Sequence, residues 1–269
     1  MLKILAGFMI TIGTALLLVN LYGLTQDIQP KQITGRDFRF PVDKTLSYEE
    51  VLPLLVKTEE QSTVEFSIHS SETISKALAH IHWNEETDPT IFHQRVPVWE
   101  NYFLYIMSFI TQMPEYEKYH YADYQRSLKR GIGICGDASL VMSQVLDENG
   151  INNQMVSFPG HVILEADTGT GAKYTYDPDF GVSIPHSIEA ISASPDIVRG
   201  YYLSKGYSER EVKVLTSLYS KNFERWDGVT HFMTKKYYFE QFAYIMKWPL
   251  PLLLLIMGYQ LIRRSPPKA

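Results

Sequence analysis

The chain has a single cysteine, Cys135. No internal disulfide can form, and no second thiolate is available to complete a zinc site with the histidines. Basic charge is scarce as well. The formal net charge is −5, and the apolar ends contribute only Lys3, Arg263, Arg264 and Lys268, so the middle is more acidic still. An acidic middle argues against a nucleic-acid partner. There is no internal repeat and no low-complexity tract. What remains is 269 residues, 45% of them hydrophobic, enough for one ordered domain with attachments.

Long apolar runs occur only near the two ends. Met1 to Leu24 opens with one lysine and then runs almost wholly apolar, a length suited to crossing a membrane. A cleavable signal peptide is the rival, but no small-x-small site follows Val19, which favours an uncleaved anchor. Trp248 to Ile262 is a second run, short for a span, which Phe242 to Met246 would extend with Lys247 snorkelling. Trp248 and Tyr259 suit the two interfaces, and Arg263, Arg264 and Lys268 suit a cytoplasmic stop. Two spans put both ends in the cytoplasm and the stretch from Gln26 to about Tyr244 outside the cytoplasmic membrane, in the periplasm. Lys31, Arg36 and Arg39 oppose this, but long loops translocate largely regardless of charge. The expected organisation is an anchor over residues 1–25, a helical part over 26–120 and a core over 121–185. A helical extension over 186–244, a second span over 245–263 and a cytoplasmic tail over 264–269 follow.

Between the ends, Ser47 is placed to cap a short helix within Leu46–Val56, and helices are expected over Thr73–His82 and Val98–Thr111. Aromatic residues fill the latter, and a core wall is favoured over a ligand platform. Further helices are expected over Ser194–Leu203 and Ser208–Tyr219, each opened by a serine cap. They and Trp226 either cap a cleft or join domain to membrane.

The organising stretch is Arg130 to Ser139, a glycine-rich turn that feeds a helix. Ala138, Val141, Met142 and Val145 recur on one helical face, and Gly150 is a suitable stop. Cys135 then sits at or just before the first turn, where free N–H groups and the helix dipole favour a thiolate nucleophile. The competing reading of a lone cysteine is a small buried apolar residue. Three strand patterns follow, Asn153–Phe158, His161–Ala166 and Lys173–Asp177, with turn residues between them. A hairpin centred on Gly169 pairs His161 directly with Asp177, within reach for a carboxylate to orient an imidazole. A centre half a residue later spoils that register and leaves Asp179 as the fallback acid. The arrangement is a nucleophile, a base and an orienting acid. The Cys135 N–H and one upstream group, Gln125 or Tyr124, are the expected oxyanion donors.

These residues carry a resemblance. Gly133-Ile134-Cys135-Gly136-Asp137-Ala138, a helix ending in Asn149-Gly150-Ile151, then Gly160-His161-Val162 and Tyr176-Asp177-Pro178, resembles the core of the transglutaminase-like superfamily over about 50 residues. The resemblance implies an α+β, papain-like fold, with a nucleophile helix packed on an antiparallel sheet. It implies that Cys135, His161 and Asp177 form a catalytic triad for acyl transfer on amides or esters, without cofactor or metal, on a protein or peptide substrate. Hydrolysis is favoured over cross-linking. The alternatives are a non-catalytic binding module of the same fold, or an accessory protein of envelope or polysaccharide assembly with an envelope protein partner.

Two other patterns are weaker. Gly131-x-Gly133-x-x-Gly136 matches a dinucleotide fingerprint but lacks the apolar strand before it. His80, His82, His93 and His120 have no metal-site spacing, and His80 and His82 on one helix point apart. Asp177-Pro178-Asp179 lacks the surrounding ligands of a calcium loop.

Overall fold

The computed structural model describes residues 2–30, 45–81, 95–111, 113–117 and 119–264. Lys31, Arg36, Arg39, His82 and His93 lie outside the described residues. The chain is a mixed α+β protein built around one antiparallel sheet. Helices α1 (Leu2–Gly23), α2 (Thr63–Ala77), α3 (Tyr102–Ile110) and α4 (Tyr124–Arg130) precede the central helix α5 (Cys135–Glu148). Between them, two short strands pair in parallel, β1 (Ala79–His80) with β2 (Ile132–Gly133). Strands β3 (Asn153–Phe158), β4 (His161–Asp167) and β5 (Lys173–Asp177) fall where side-chain alternation and turn residues predict them. Strands β6 (Val182–Ile184) and β7 (Glu224–Trp226) complete the sheet in the order β6-β5-β4-β3-β7. Each is too short to show a period in the sequence. Helices α6 (Arg199–Ser204), α7 (Glu209–Tyr219), α8 (Thr234–Met246) and α9 (Pro249–Arg264) follow the core.

Alternation along the strands sends side chains into two cores. On one face Met155, Leu164 and Tyr176 pack against Val141, Met142 and Val145, the predicted face of α5. Each such fully buried side chain contributes about 1.5–3 kcal/mol. On the other face Val156, Ile163, Val182 and Ile184 pack against Tyr202 of α6 and Val212, Leu215 and Tyr219 of α7. The α5 helix stops at Gly150, whose φ of +69° a side chain would oppose.

Local signals decide several boundaries. Ser47, Ser62 and Ser208 each close a capping box, with Glu50, Glu65 and Glu211 respectively. The predicted Thr73–His82 helix is wrong at both ends, and α2 already begins at Thr63 behind the Ser62 cap. Helix α2 stops at Ala77, Leu78 is extended, and Ala79 and His80 pair with Ile132 and Gly133. Tertiary pairing there overrides helical propensity. The predicted Val98–Thr111 helix begins only at Tyr102, because the Asn101 side chain caps the N–H groups of Phe103 and Leu104. Ser194 does not cap by its side chain, and a 3-10 turn at Pro195–Val198 precedes α6.

At the ends, α1 is long and apolar enough to cross a membrane. Helix α9 meets that test only together with α8, from which it is bent by 49°. Phe242 to Met246 thus belong to α8 and do not extend α9 in line. Lys247 does not snorkel, since its ammonium donates to the Glu100 carbonyl at 2.8 Å. Helices α1 and α9 lie against each other at glycines. The Gly13 α-carbon faces Pro251 and Leu254, and that of Gly258 faces Ile10 and Ala6, with no room for a side chain on either.

Candidate active site

Helix α5 delivers Cys135 to the end of the interior strands β4 and β5. Cys135 is its first residue, with Ile134 as the N-cap. The Asp137 carboxylate accepts the Ile134 N–H at 3.0 Å and closes the helix start. Ser139, one turn on and on the face of Cys135, donates its hydroxyl to the Val162 carbonyl at 2.8 Å. That bond fixes the start of α5 beside β4, next to His161. The Tyr119 ring lies on the Gly136 α-carbon, so only glycine fits after the cysteine. Cys135 itself is partly buried.

His161 begins β4 and Asp177 ends β5. The β4–β5 pairing runs Leu164 with Tyr176 and Asp167 with Lys173, so the hairpin is centred on Thr170. The predicted centre on Gly169 is one residue early. Gly169 and Gly171 both take positive φ around Thr170, and the Thr168 N–H closes on the Ala172 carbonyl. A whole-residue displacement of the centre preserves the faces. His161 therefore meets Asp177 on the diagonal, and its Nε2 donates to Asp177 Oδ2 at 2.7 Å. Asp179, the fallback acid, instead accepts from Nδ1 of His80 at 2.6 Å.

The imidazole and its carboxylate are 3% and 0% exposed, so solvent contributes almost nothing to their interaction. Burial pulls the His161 pKa down. The Asp177 charge and hydrogen bond, with Cys135 as a further hydrogen-bonding partner, outweigh it and hold the pKa well above the usual value. With Nε2–H committed to Asp177, Nδ1 is the nitrogen left to exchange a proton with the thiol. Burial pushes the Asp137 carboxyl up to about 6, against the Ile134 N–H and the Arg130 charge. Burial brings the Arg130 guanidinium down to about 9.

Sequence reasoning missed the support of the acid. Tyr202 donates its hydroxyl to Asp177 Oδ2 at 2.6 Å, and the Tyr219 hydroxyl lies 2.6 Å from that of Tyr202. Burial, then the Asp177 charge, raises the Tyr202 pKa far above the usual phenol value. Rings of Phe180 and Tyr219 stand edge-on to His161, with centroids 5.7 and 6.4 Å away. The late helices α6 and α7 therefore cover the back of the site. Trp226 sits on edge strand β7 and donates to the Ser157 hydroxyl at 2.9 Å.

The expected upstream oxyanion donors, Tyr124 and Gln125, are not at the site. The Tyr124 hydroxyl donates to Glu148 at 2.7 Å, and Gln125 donates to Tyr124. Glu148 ends this 14-residue helix, about 20 Å from Cys135 by helical rise. Of the four histidines weighed as metal ligands, His80 is bonded to Asp179, and His120 is buried beside Tyr121. Among the described residues no three His, Cys, Asp or Glu side chains converge as a metal site needs. No family model, curated protein or solved structure matches the chain.

Proposed function

We propose that the protein is a membrane-tethered cysteine hydrolase or acyltransferase with a transglutaminase-like core, acting on an amide or ester of a protein or peptide substrate. One observation carries this reading. The His161 imidazole is held by the Asp177 carboxylate at Nε2, and Cys135, the first residue of α5, is among the neighbours that hold its pKa up. Sulfur attacks the carbonyl carbon as the thiol proton passes to His161 Nδ1, and the carbonyl π pair moves onto oxygen. The Cys135 N–H, which has no partner within its helix, donates to that oxyanion. Collapse breaks the bond to the leaving group, which takes the proton from His161, and a thioester remains. Water then attacks, gives its proton to His161, and the acid is released as the thiol is restored. An amine in place of water would complete a transfer. Asp177 keeps Nε2–H in place throughout.

In the same reading α1 and α9 are two antiparallel spans, with both chain ends cytoplasmic and the domain in the periplasm. Their contacts at Gly13 and Gly258, and Arg263 and Arg264 at the end of α9, support it. An envelope protein is the natural class of neighbour there. The test is covalent labelling of detergent-solubilised protein by a thiol-directed amide-mimic electrophile, with iodoacetamide alongside. Labelling should vanish in Cys135→Ala and fall steeply in His161→Ala. Equal labelling of wild type and His161→Ala would remove the base from the mechanism. The near-complete burial of His161 favours a second reading, a non-catalytic module with a closed triad. A thiol silent to both reagents in folded protein would select it.

A further inference from the structure

Helices α3 and α8 present an apolar surface that the fold leaves uncovered. Ile106, Phe109 and Ile110 share one face of α3, at spacings of three and four. Tyr238, Phe242 and Ile245 share one face of α8 in the same way. All six are between 49% and 69% exposed. The two stripes join where the rings of Phe103 and Phe242 approach to 6.0 Å. A contiguous patch of this kind on a folded domain marks a contact surface.

Its position says what the contact is. The Lys247 carbonyl accepts from Asn20 of α1 at 2.6 Å and from Tyr102 of α3 at 3.0 Å. Lys247 lies between α8 and α9. One residue thus ties the exit of α1, the entry of α9 and both patch helices together. The Gly23 α-carbon rests against the Trp99 carbonyl, just before α3. The patch therefore begins at the mouth of the α1–α9 hairpin. The opposite face of α8 is fastened to the domain, where Lys236 donates to the carbonyls of Glu115 and Tyr119. Glu240 on that face accepts the Ala122 N–H at 2.7 Å and Arg126 at 3.1 Å. Helix α8 thus has a polar face held by protein and an apolar face turned outward, the form of a helix that lies in an interface rather than crossing it. Arg95, whose guanidinium lies 4.6 Å from the Phe109 ring, supplies positive charge at the rim for lipid phosphate.

We propose that the apolar faces of α3 and α8 rest in the headgroup–acyl boundary of the bilayer entered by α1 and α9. The inference rests on reading α1 and α9 as spans and adds a third point of attachment. The domain is then docked on the membrane surface instead of swinging from two stalks. Tyr119, which covers Gly136, is held by Lys236 of the same helix, so the site is set close to the lipid surface. A substrate near the membrane is thereby favoured over one diffusing far from it.

The experiment uses full-length protein carrying Cys135→Ser in phosphatidylcholine–phosphatidylglycerol nanodiscs. Single cysteines replace Ile110 or Ile245 in the patch, Leu253 in α9, and exposed Val214 on α7, and each carries the environment-sensitive dye NBD. Labels at 110 and 245 should show blue-shifted, brighter emission, quenched by shallow spin-labelled lipid, with the label at 214 behaving as in water. If 253 is quenched by deep lipid labels and 110 and 245 match 214, the spans stand and the docking is overturned. If 110 and 245 are shielded from iodide but not quenched by lipid, protein covers the patch, and docking is again overturned. If 253 itself reads as water, the second span fails and this inference with it.

Discussion

Among the described residues, two largely buried imidazole–carboxylate pairs have acids two residues apart in sequence. His161 binds Asp177 at 2.7 Å, and His80 binds Asp179 at 2.6 Å. Their chemistry is the same and their settings differ. The first pair is more deeply buried, backed by Tyr202, and has the thiol among the groups that raise its imidazole's pKa. The second is slightly more open and joins β1 to the loop after β5. What separates a candidate catalytic pair from a structural strut is therefore the third group. Neither distance nor residue type distinguishes them. The imidazoles also present opposite nitrogens, Nε2 from His161 and Nδ1 from His80, so only His161 has Nδ1 left for Cys135.

The largest expected effect comes from removing Asp177. Asp177→Ala strands a buried imidazole and a phenol, which costs about 3–5 kcal/mol of stability. The milder Asp177→Asn keeps the shape and should still lower the rate of Cys135 alkylation. The pH response gives the sign. The folded pKa of His161 is raised, so its contribution is complete below the unfolded value near 6.5 and is lost as pH rises through the folded value. Denaturation midpoints of wild type should fall across that alkaline window, and those of Asp177→Asn should not. An unchanged profile would dissolve the distinction between the pairs.

A third buried carboxylate extends the comparison. Asp137 stands beside Cys135 without an imidazole, and burial raises its pKa to about 6 from 3.8. A raised acid favours the folded state while protonated. Its contribution is full below pH 3.8 and lost as pH rises to about 6, by about 3 kcal/mol. Asp137→Asn keeps an acceptor for the Ile134 N–H and should flatten stability between pH 4 and 6. If the variant keeps the wild-type slope there, the proton is not on Asp137.

The second pair supplies the control. Asp179→Asn weakens one charged hydrogen bond, an expected loss of about 1.5–3 kcal/mol. The pH profile of Cys135 alkylation should stay where it is. A displaced profile would make His80 part of the reactive site.

Which of these groups the sequence reveals follows from how far apart its signals lie. Cys135, His161 and Asp177 fall on α5, β4 and β5, three of four consecutive elements with clear patterns, and their order brings them to one end of the sheet. Even the mistaken hairpin centre did no harm, because a shift by a whole residue preserves side-chain faces. The His80–Asp179 pair escapes such reasoning. Its strand is two residues long and follows directly on a helical pattern, so only pairing with Ile132 and Gly133 makes it extended. Tyr202 and Tyr219 are 25 and 42 positions beyond Asp177, on helices whose faces read simply as core. Likewise Tyr124 and Gln125 are near Cys135 in sequence, yet helix α4 turns them to the far end of α5.

The smallest effect tests whether Tyr202 acts through Asp177 or only fills space. Tyr202→Phe keeps the ring and deletes the hydroxyl bond to Asp177 Oδ2, at a cost of about 1 kcal/mol. Tyr219→Phe removes the neighbouring hydroxyl and touches His161 only by ring contact. If Tyr202 positions the acid, Tyr202→Phe should shift the pH profile of Cys135 alkylation, and Tyr219→Phe should leave most of it in place. Equal stability losses with no shift in either variant would make both tyrosines packing alone. The first pair would then differ from the second only in its proximity to the thiol.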